Sequence, residues 1–225
     1  MKRLILSAIL YVLSITISTA QLNEGLIKFE IEVSASNPQM EMAVGMMQGS
    51  TMNLYFADED VHSEMNLGSM MTMSTIVLGK SEEVMILMSG MMGNKAIPTT
   101  LEAIKEKAPK GPDADFSVEL IDETKQIQGY TCKKAVLTNE NGDEMFSWYT
   151  TDIEINTIGQ SYHNEKIPGF PLEYNTSANG LIMTISAVAI EEGINKKKKK
   201  ELFSTKIPEG YTKMSAEDLE KMGGM

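Results

Sequence analysis

The chain has 225 residues, of which 42% are hydrophobic and 23% charged, enough apolar material for one core-bearing domain and too ordinary a charge content for wholesale disorder. Its 20 Lys plus Arg against 31 Asp plus Glu give a net charge of −11, which argues against a nucleic-acid binder that works by neutralising phosphates. A single cysteine excludes an internal disulfide framework and a thiolate-rich metal cluster.

Lys2 and Arg3 precede an apolar run from Leu4 to Ile17, and Ser18, Thr19 and Ala20 supply small residues at cleavage positions. This pattern predicts a signal peptide over 1–20, cut between Ala20 and Gln21, and a periplasmic or secreted product. At about 14 residues the run is shorter than the roughly 20 that a membrane-spanning helix needs. The rest divides into one domain over 21–213 and a short helix with a tail over 214–225, the helix running from Ser215 to Met222 before Gly223 and Gly224.

From Ile27 to Val33 apolar and charged residues alternate without error, the period of a half-buried strand. Similar stretches follow, in which Met52, Leu54 and Phe56 share a face, then Val61, Met65 and Leu67, then Met71, Met73, Thr75 and Val77. Glu83 to Met88 is apolar on both faces, as in a central strand. Asp58-Glu59-Asp60 and Gly79-Lys80-Ser81-Glu82 have turn composition, so these runs form an antiparallel meander. Pro98 to Lys107 reads as a helix with a capping threonine and Pro109 as a stop.

In the second half Phe116, Val118 and Leu120 alternate with polar residues, and Cys132–Thr138 and Glu144–Tyr149 flank an Asn141-Gly142 step that signals a hairpin. Trp148 and Phe146 are expected inside, as packing anchors rather than a carbohydrate platform, and Cys132 as a small buried hydrophobe. Pro168 and Pro171 around Gly169 mark a loop or irregular edge, and Leu181 to Ile190 one more strand. The run Lys196 to Lys200 is expected as an exposed loop or hairpin tip, with transient contact to anionic lipid as its functional reading. About nine strands and one internal helix imply a mainly β fold (α+β), a large curved antiparallel sheet whose inner face must be covered by a second sheet, a helix or an apolar ligand.

Four landmarks in order carry a family resemblance: Gly129-Tyr130-Thr131-Cys132-Lys133-Lys134, Phe146-Ser147-Trp148-Tyr149-Thr150, Ile167-Pro168-Gly169-Phe170-Pro171-Leu172-Glu173, and Phe203 with Ile207-Pro208-Glu209-Gly210-Tyr211. Over roughly residues 22–213 the chain resembles exported Gram-negative proteins of unknown function similar to the GLPGLI-type group, with a fold resembling the periplasmic lipoprotein carriers (LolA-like). The resemblance implies a half-barrel with a helix across its concave face and a hydrophobic cavity between them, and no catalytic residues.

Methionine is the compositional anomaly, 19 in all against 6% aromatics, and 13 of them fall between Met40 and Met92. Unbranched, polarizable thioethers make an apolar wall that repacks around guests of differing shape. The expected function is therefore non-enzymatic: binding of an apolar small molecule or lipid against Met52, Leu54, Phe56, Met65, Met71, Met73, Met85 and Leu87, under a lid carrying Leu101 and Ile104. The same sulfurs are soft ligands for monovalent copper, with Met71 and Met73, Met40 and Met42, or Met88 and Met91 at workable spacing and His62 or His163 as an imidazole partner. A secreted structural or interaction module, engaging a protein partner through a flexible apolar loop around Met40 to Gly49 and Gly90 to Gly93, is the third reading. Two histidines, one cysteine and no Gly-x-Ser-x-Gly elbow give neither a zinc set nor a serine triad, so no cofactor and no enzyme activity are expected.

Overall fold

Two meanders, one from each half of the chain, meet edge to edge and, with one short strand added at an edge, make a single 12-stranded sheet. The computed structural model describes residues 21–35, 37–90, 93–107, 116–140, 142–155, 166–178 and 180–215. The signal segment, the expected helix beyond its first residue Ser215, Met91, Met92 and His163 lie outside these residues.

The alternating run after Asn23 forms β1 (Glu24–Ala35). A 3-10 turn at Pro38–Met40 and α1 (Glu41–Met46) follow, where the sequence suggests a flexible loop; Asn37 caps the turn by accepting from the Gln39 N–H at 3.1 Å. The first meander is then β2 (Ser50–Ala57), β3 (Asp60–Leu67), β4 (Met71–Leu78), β5 (Glu83–Gly90) and β6 (Lys95–Thr100), each antiparallel to its predecessor. Pro98 belongs to β6 rather than to a helix start. It lies beyond the reach of the next strand outward, which pairs only with Lys95 and Ala96, and proline is tolerated at such an edge. The helix itself, α2 (Leu101–Lys107), begins after Thr100, whose Oγ1 accepts from the Ala103 N–H at 3.2 Å.

The second meander is β7 (Ser117–Ile127), β8 (Tyr130–Thr138), β9 (Glu144–Thr150), β10 (Phe170–Ala178) and β11 (Leu181–Glu192). Gly142 sits at φ 83° in the β8–β9 connection, a left-handed conformation that glycine adopts without steric cost. The irregularity expected around Pro168 and Pro171 is a register shift between Pro171 and Glu173 where β10 meets β9. β11 pairs with β1 over its whole length and joins the two halves. The chain then forms α3 (Lys196–Leu202) and a two-residue β12 (Thr212–Lys213), parallel to β6. The lysine run is thus helical, not a loop: lysine is a good helix former, and Asn195 caps the helix by accepting from the Lys197 N–H at 2.9 Å.

The fold is a mainly β, open curved sheet, and its two faces are covered differently. On the inner face the largest cluster joins Phe29, Leu54 and Phe56 of the first meander to Phe170, Leu172 and Tyr174 of β10. Ile153 and Ile155, just after β9, complete it; their segment is tied to the amino end by Leu22 N–H to Asp152 carbonyl at 2.8 Å and Glu154 N–H to Leu22 carbonyl at 2.9 Å. On the outer face of β1 to β6, α3 and the segment after it cover two smaller clusters. One holds Leu26, Tyr55 and Leu202, and the other Ile76, Met85 and Ala96 with Tyr211 packed on them.

Candidate functional site

Residues directly opposite in an antiparallel ladder project to the same face, so register fixes which side chains share a surface. Met52 stands opposite Met65, Met65 opposite Met73, and Met73 opposite Met88, a row of four methionines crossing β2 to β5. Phe29 of β1 continues the row on one side and Lys95 of β6 on the other. The row is on the inner face, because Phe29 and Met52 are members of the inner core. Burial falls along it: Phe29 and Met52 are buried, and Met65, Met73 and Met88 are half-buried. Met71, opposite Leu67 and Gly90, adds a fifth thioether in the next row toward the β3–β4 turn.

On the other side of the row lie Ser63, Thr75 and Ile86, and beyond them Val61, Val77 and Val84. There Leu101 and Ile104 of α2 close against Val77, Val84 and Ile86. Val77 and Met73 are four residues apart on one strand, about 14 Å at the usual rise, so this helix packs on the far end of the inner face and, among the described residues, not on Met73 or Met88.

The residues expected as a cavity wall therefore divide into three groups. Leu54 and Phe56, with Met52, are fully buried beneath the protein's own side chains and form a filled floor. Met65, Met71 and Met73 are half-buried on the inner face. Met85 and Leu87 do not join them: they project outward, packed with Ile76, Ala96 and Tyr211. The sequence from Glu83 to Met88 is apolar on both faces, and both faces of β5 do carry packed apolar residues, Val84 and Ile86 on one and Met85 and Leu87 on the other, so alternation alone could not assign them.

The expected imidazole partner for copper also moves away. His62 stands opposite Tyr55 and Ile76 on the outer face, the face opposite Met71 and Met73. Nor is it on a solvated strand face, as its polar neighbours suggest; it is buried, with its ring 5.8 Å from that of Tyr55. Neither ring nitrogen has a well-aligned hydrogen-bond partner. Burial pushes its pKa down, opposed by the Glu64 carboxylate at 3.8 Å and by the nearby Leu202 backbone. Among the described residues no group of three or more His, Cys, Asp or Glu side chains is placed to hold a metal.

α3 is pinned over this region. Lys199 reaches Glu24 at 2.7 Å and Asp58 at 3.4 Å, and Lys198 lies 5.0 Å from the Tyr55 ring centroid. The Lys199 ammonium and the Ile194 N–H both donate to the Glu24 carboxylate and hold its pKa down. Lys196, Lys197 and Lys200 stay exposed.

Trp148 and Phe146, expected inside, are half-buried: Trp148 packs against the inner core, while the opposite phase of β9 is the fully buried one, with Ser147 and Tyr149. Trp148 stands opposite Lys134 and Glu173, with the ammonium groups of Lys125 and Lys134 at 5.7 and 5.6 Å from its ring centroid. It rims an open depression of about 360 Å³ that includes Lys134, Val136 and Phe146. Cys132 is buried, and burial pushes its thiol pKa up to about 11, far from a nucleophile's range.

The fold and this surface define a class: a curved-sheet domain with a packed floor and a sulfur-rich inner strip that is half-buried among the described residues. The chain belongs to the family described as N-glycanase peptide, N-terminal domain, whose model matches residues 72–215. The matched span contains all four landmarks noted in the sequence. No curated protein matches the chain. Among solved structures, PNGF-II is similar at 15% identity over 88% of this chain and 32% of that protein, with a TM-score of 0.48. The chain thus spans about a third of PNGF-II's length. The MucA/MucB complex of Pseudomonas aeruginosa is similar at 9% identity, 80% and 56% coverage and a TM-score of 0.42. A LolA superfamily protein of Nitrosomonas europaea follows at 10% identity, 79% and 89% coverage and a TM-score of 0.22.

Proposed function

We propose that this domain is a non-enzymatic binding module, exported by way of residues 1–20, that holds an apolar, lipid-like guest against the methionine row of its inner face. The observation that carries the reading is the change along that row from a buried floor at Met52 to half-buried thioethers at Met65, Met73 and Met88, with α2 too distant to cover them. Completing the burial of each half-exposed methionine contributes about 1 kcal/mol, so the three together favour an apolar guest by about 3 kcal/mol before ordering costs. Flexible thioethers adapt to a guest's shape without a preformed pocket.

The test is native mass spectrometry and lipid extraction of protein purified without detergent, with displacement of a fluorescent fatty-acid probe alongside. Retained lipid, or a saturable probe signal lost in a Met65→Gln, Met73→Gln double variant that stays folded, supports the reading. A clean extract together with no probe response refutes it. Export is checked separately, by the mass of the amino-terminal peptide of the secreted product, which should begin at Gln21.

A further inference from the structure

On β1 to β6 the inner-face positions of the ladders carry apolar, hydroxyl or glycine residues at every place but one. The exception is Lys95, opposite Met88 at the end of the methionine row. It is half-buried, and among the described residues no carboxylate lies within ion-pair distance of it. The other lysines that stand on strands in or beside this sheet half are placed differently: Lys28, for example, projects outward to Glu191.

A lone inward cation on a strand near a sheet edge is a known guard against edge-to-edge pairing. Here that task is already performed, because β12 pairs with β6 at Lys95 and Ala96 themselves. An unpaired ammonium at the end of an open apolar strip instead has the chemistry of a head-group receptor.

Resting on the apolar-guest reading above, we infer that the guest is a long-chain carboxylate, lying across the strands on Met65, Met73 and Met88 with its carboxylate on the Lys95 ammonium. Three strand spacings separate Met65 from Lys95, about 14 Å at about 4.8 Å each. Carbon–carbon bonds of about 1.5 Å at near-tetrahedral angles advance about 1.25 Å per carbon, so the strip accommodates roughly 11 or 12 carbons. The row sets the direction, because the neighbouring row places the Ser63 and Thr75 hydroxyls beside Met65 and Met73. A single ammonium suits a singly charged head group. A phosphate monoester brings up to two charges and three acceptor oxygens, more than one ammonium can neutralise, and the only arginine that could add a bidentate contact is Arg3, in the signal segment. The net charge of −11 also disfavours multiply charged anions, while screening beyond about 8 Å leaves a local ammonium effective.

The experiment compares dodecanoate with its methyl ester by displacement titration at pH 7, both below their aggregation concentrations, on the unaltered full chain, Lys95→Met and Lys95→Arg. A charge-assisted hydrogen bond is worth about one order of magnitude in affinity, so the acid should bind the unaltered protein about tenfold tighter than the ester. That preference should vanish in Lys95→Met, with ester binding unchanged, and survive in Lys95→Arg. Equal binding of acid and ester to the unaltered protein overturns the head-group assignment while leaving the apolar-guest reading standing. A preference that persists in Lys95→Met also overturns it, and self-association of that variant would then assign the lysine to edge protection. Binding of neither compound defeats the apolar-guest reading, and this inference with it.

Discussion

Met73 and Met85 are methionines on adjacent strands of the same sheet, and replacing each by alanine should have opposite consequences. Met85 is 1% exposed on the outer face, enclosed by Ile76, Ala96 and Tyr211. Its truncation removes a fully packed side chain and leaves a cavity, a change that costs about 2–5 kcal/mol. With about 2–4 °C of melting temperature per kcal/mol for a chain of this size, Met85→Ala should melt roughly 6–12 °C lower at a central cost of about 3 kcal/mol. Met73 is half-buried on the inner strip, so its truncation forfeits about 1 kcal/mol or less and about 2–4 °C. Binding should invert the order: Met73→Ala weakens probe affinity several-fold, and Met85→Ala, measured well below its melting point, leaves it unchanged. Calorimetry and probe titration on the same preparations make the comparison. Equal melting losses would mean that the inner row is ordinary core, and would refute the reasoning that it is an accessible surface.

Protonation of His62 in its buried site is opposed by burial, so the fold favours the neutral ring. The stabilisation this implies is complete above the imidazole's unfolded pKa of about 6.5 and is lost as pH falls from there toward the lowered native value; His62→Leu should flatten this part of a stability-against-pH profile, and an unchanged profile would show that the ring is solvated. Glu24, held low by Lys199, works in the same sense at lower pH: its contribution is present above its unfolded pKa and fades on acidification. Glu24→Gln should raise hydrogen-exchange rates across residues 196–202 at pH 7 while leaving β4 and β5 unaffected. Cys132, buried and with its pKa raised to about 11, should stay unreactive toward a disulfide reagent in the native protein and react stoichiometrically in denaturant.

Much of the strand layout was legible because it depends on local pattern. Ile27 to Val33, Met52 to Phe56 and Met71 to Val77 each alternate, and each forms a strand. The Asn195 cap and a run of good helix formers were also present in the sequence, and would have located α3 had the lysines not been read only as charge. Trp148 shows where pattern reaches its limit: both phases of β9 carry an aromatic residue, so the fuller burial of Tyr149 was decided by what packs against the strand. His62 fails in the same way, since its polar neighbours mark a wet face and α3, more than 130 residues later in the chain, makes it a dry one.

By itself the sequence determined which residues share a side of each strand, because side-chain direction repeats every two residues along a chain. It also determined that sulfur would be concentrated in the first meander. Only the tertiary structure decided how those sides line up: Met52, Met65, Met73 and Met88 become one row ending at Lys95, and Met85 is sent to the opposite face. Register between strands is set by turns and by the burial of the whole face, and the long pairing of β1 with β11 brings together residues from opposite ends of the domain. That closure, absent from any local stretch, fills one part of the inner face, while Met65, Met73 and Met88 stay half-buried among the described residues.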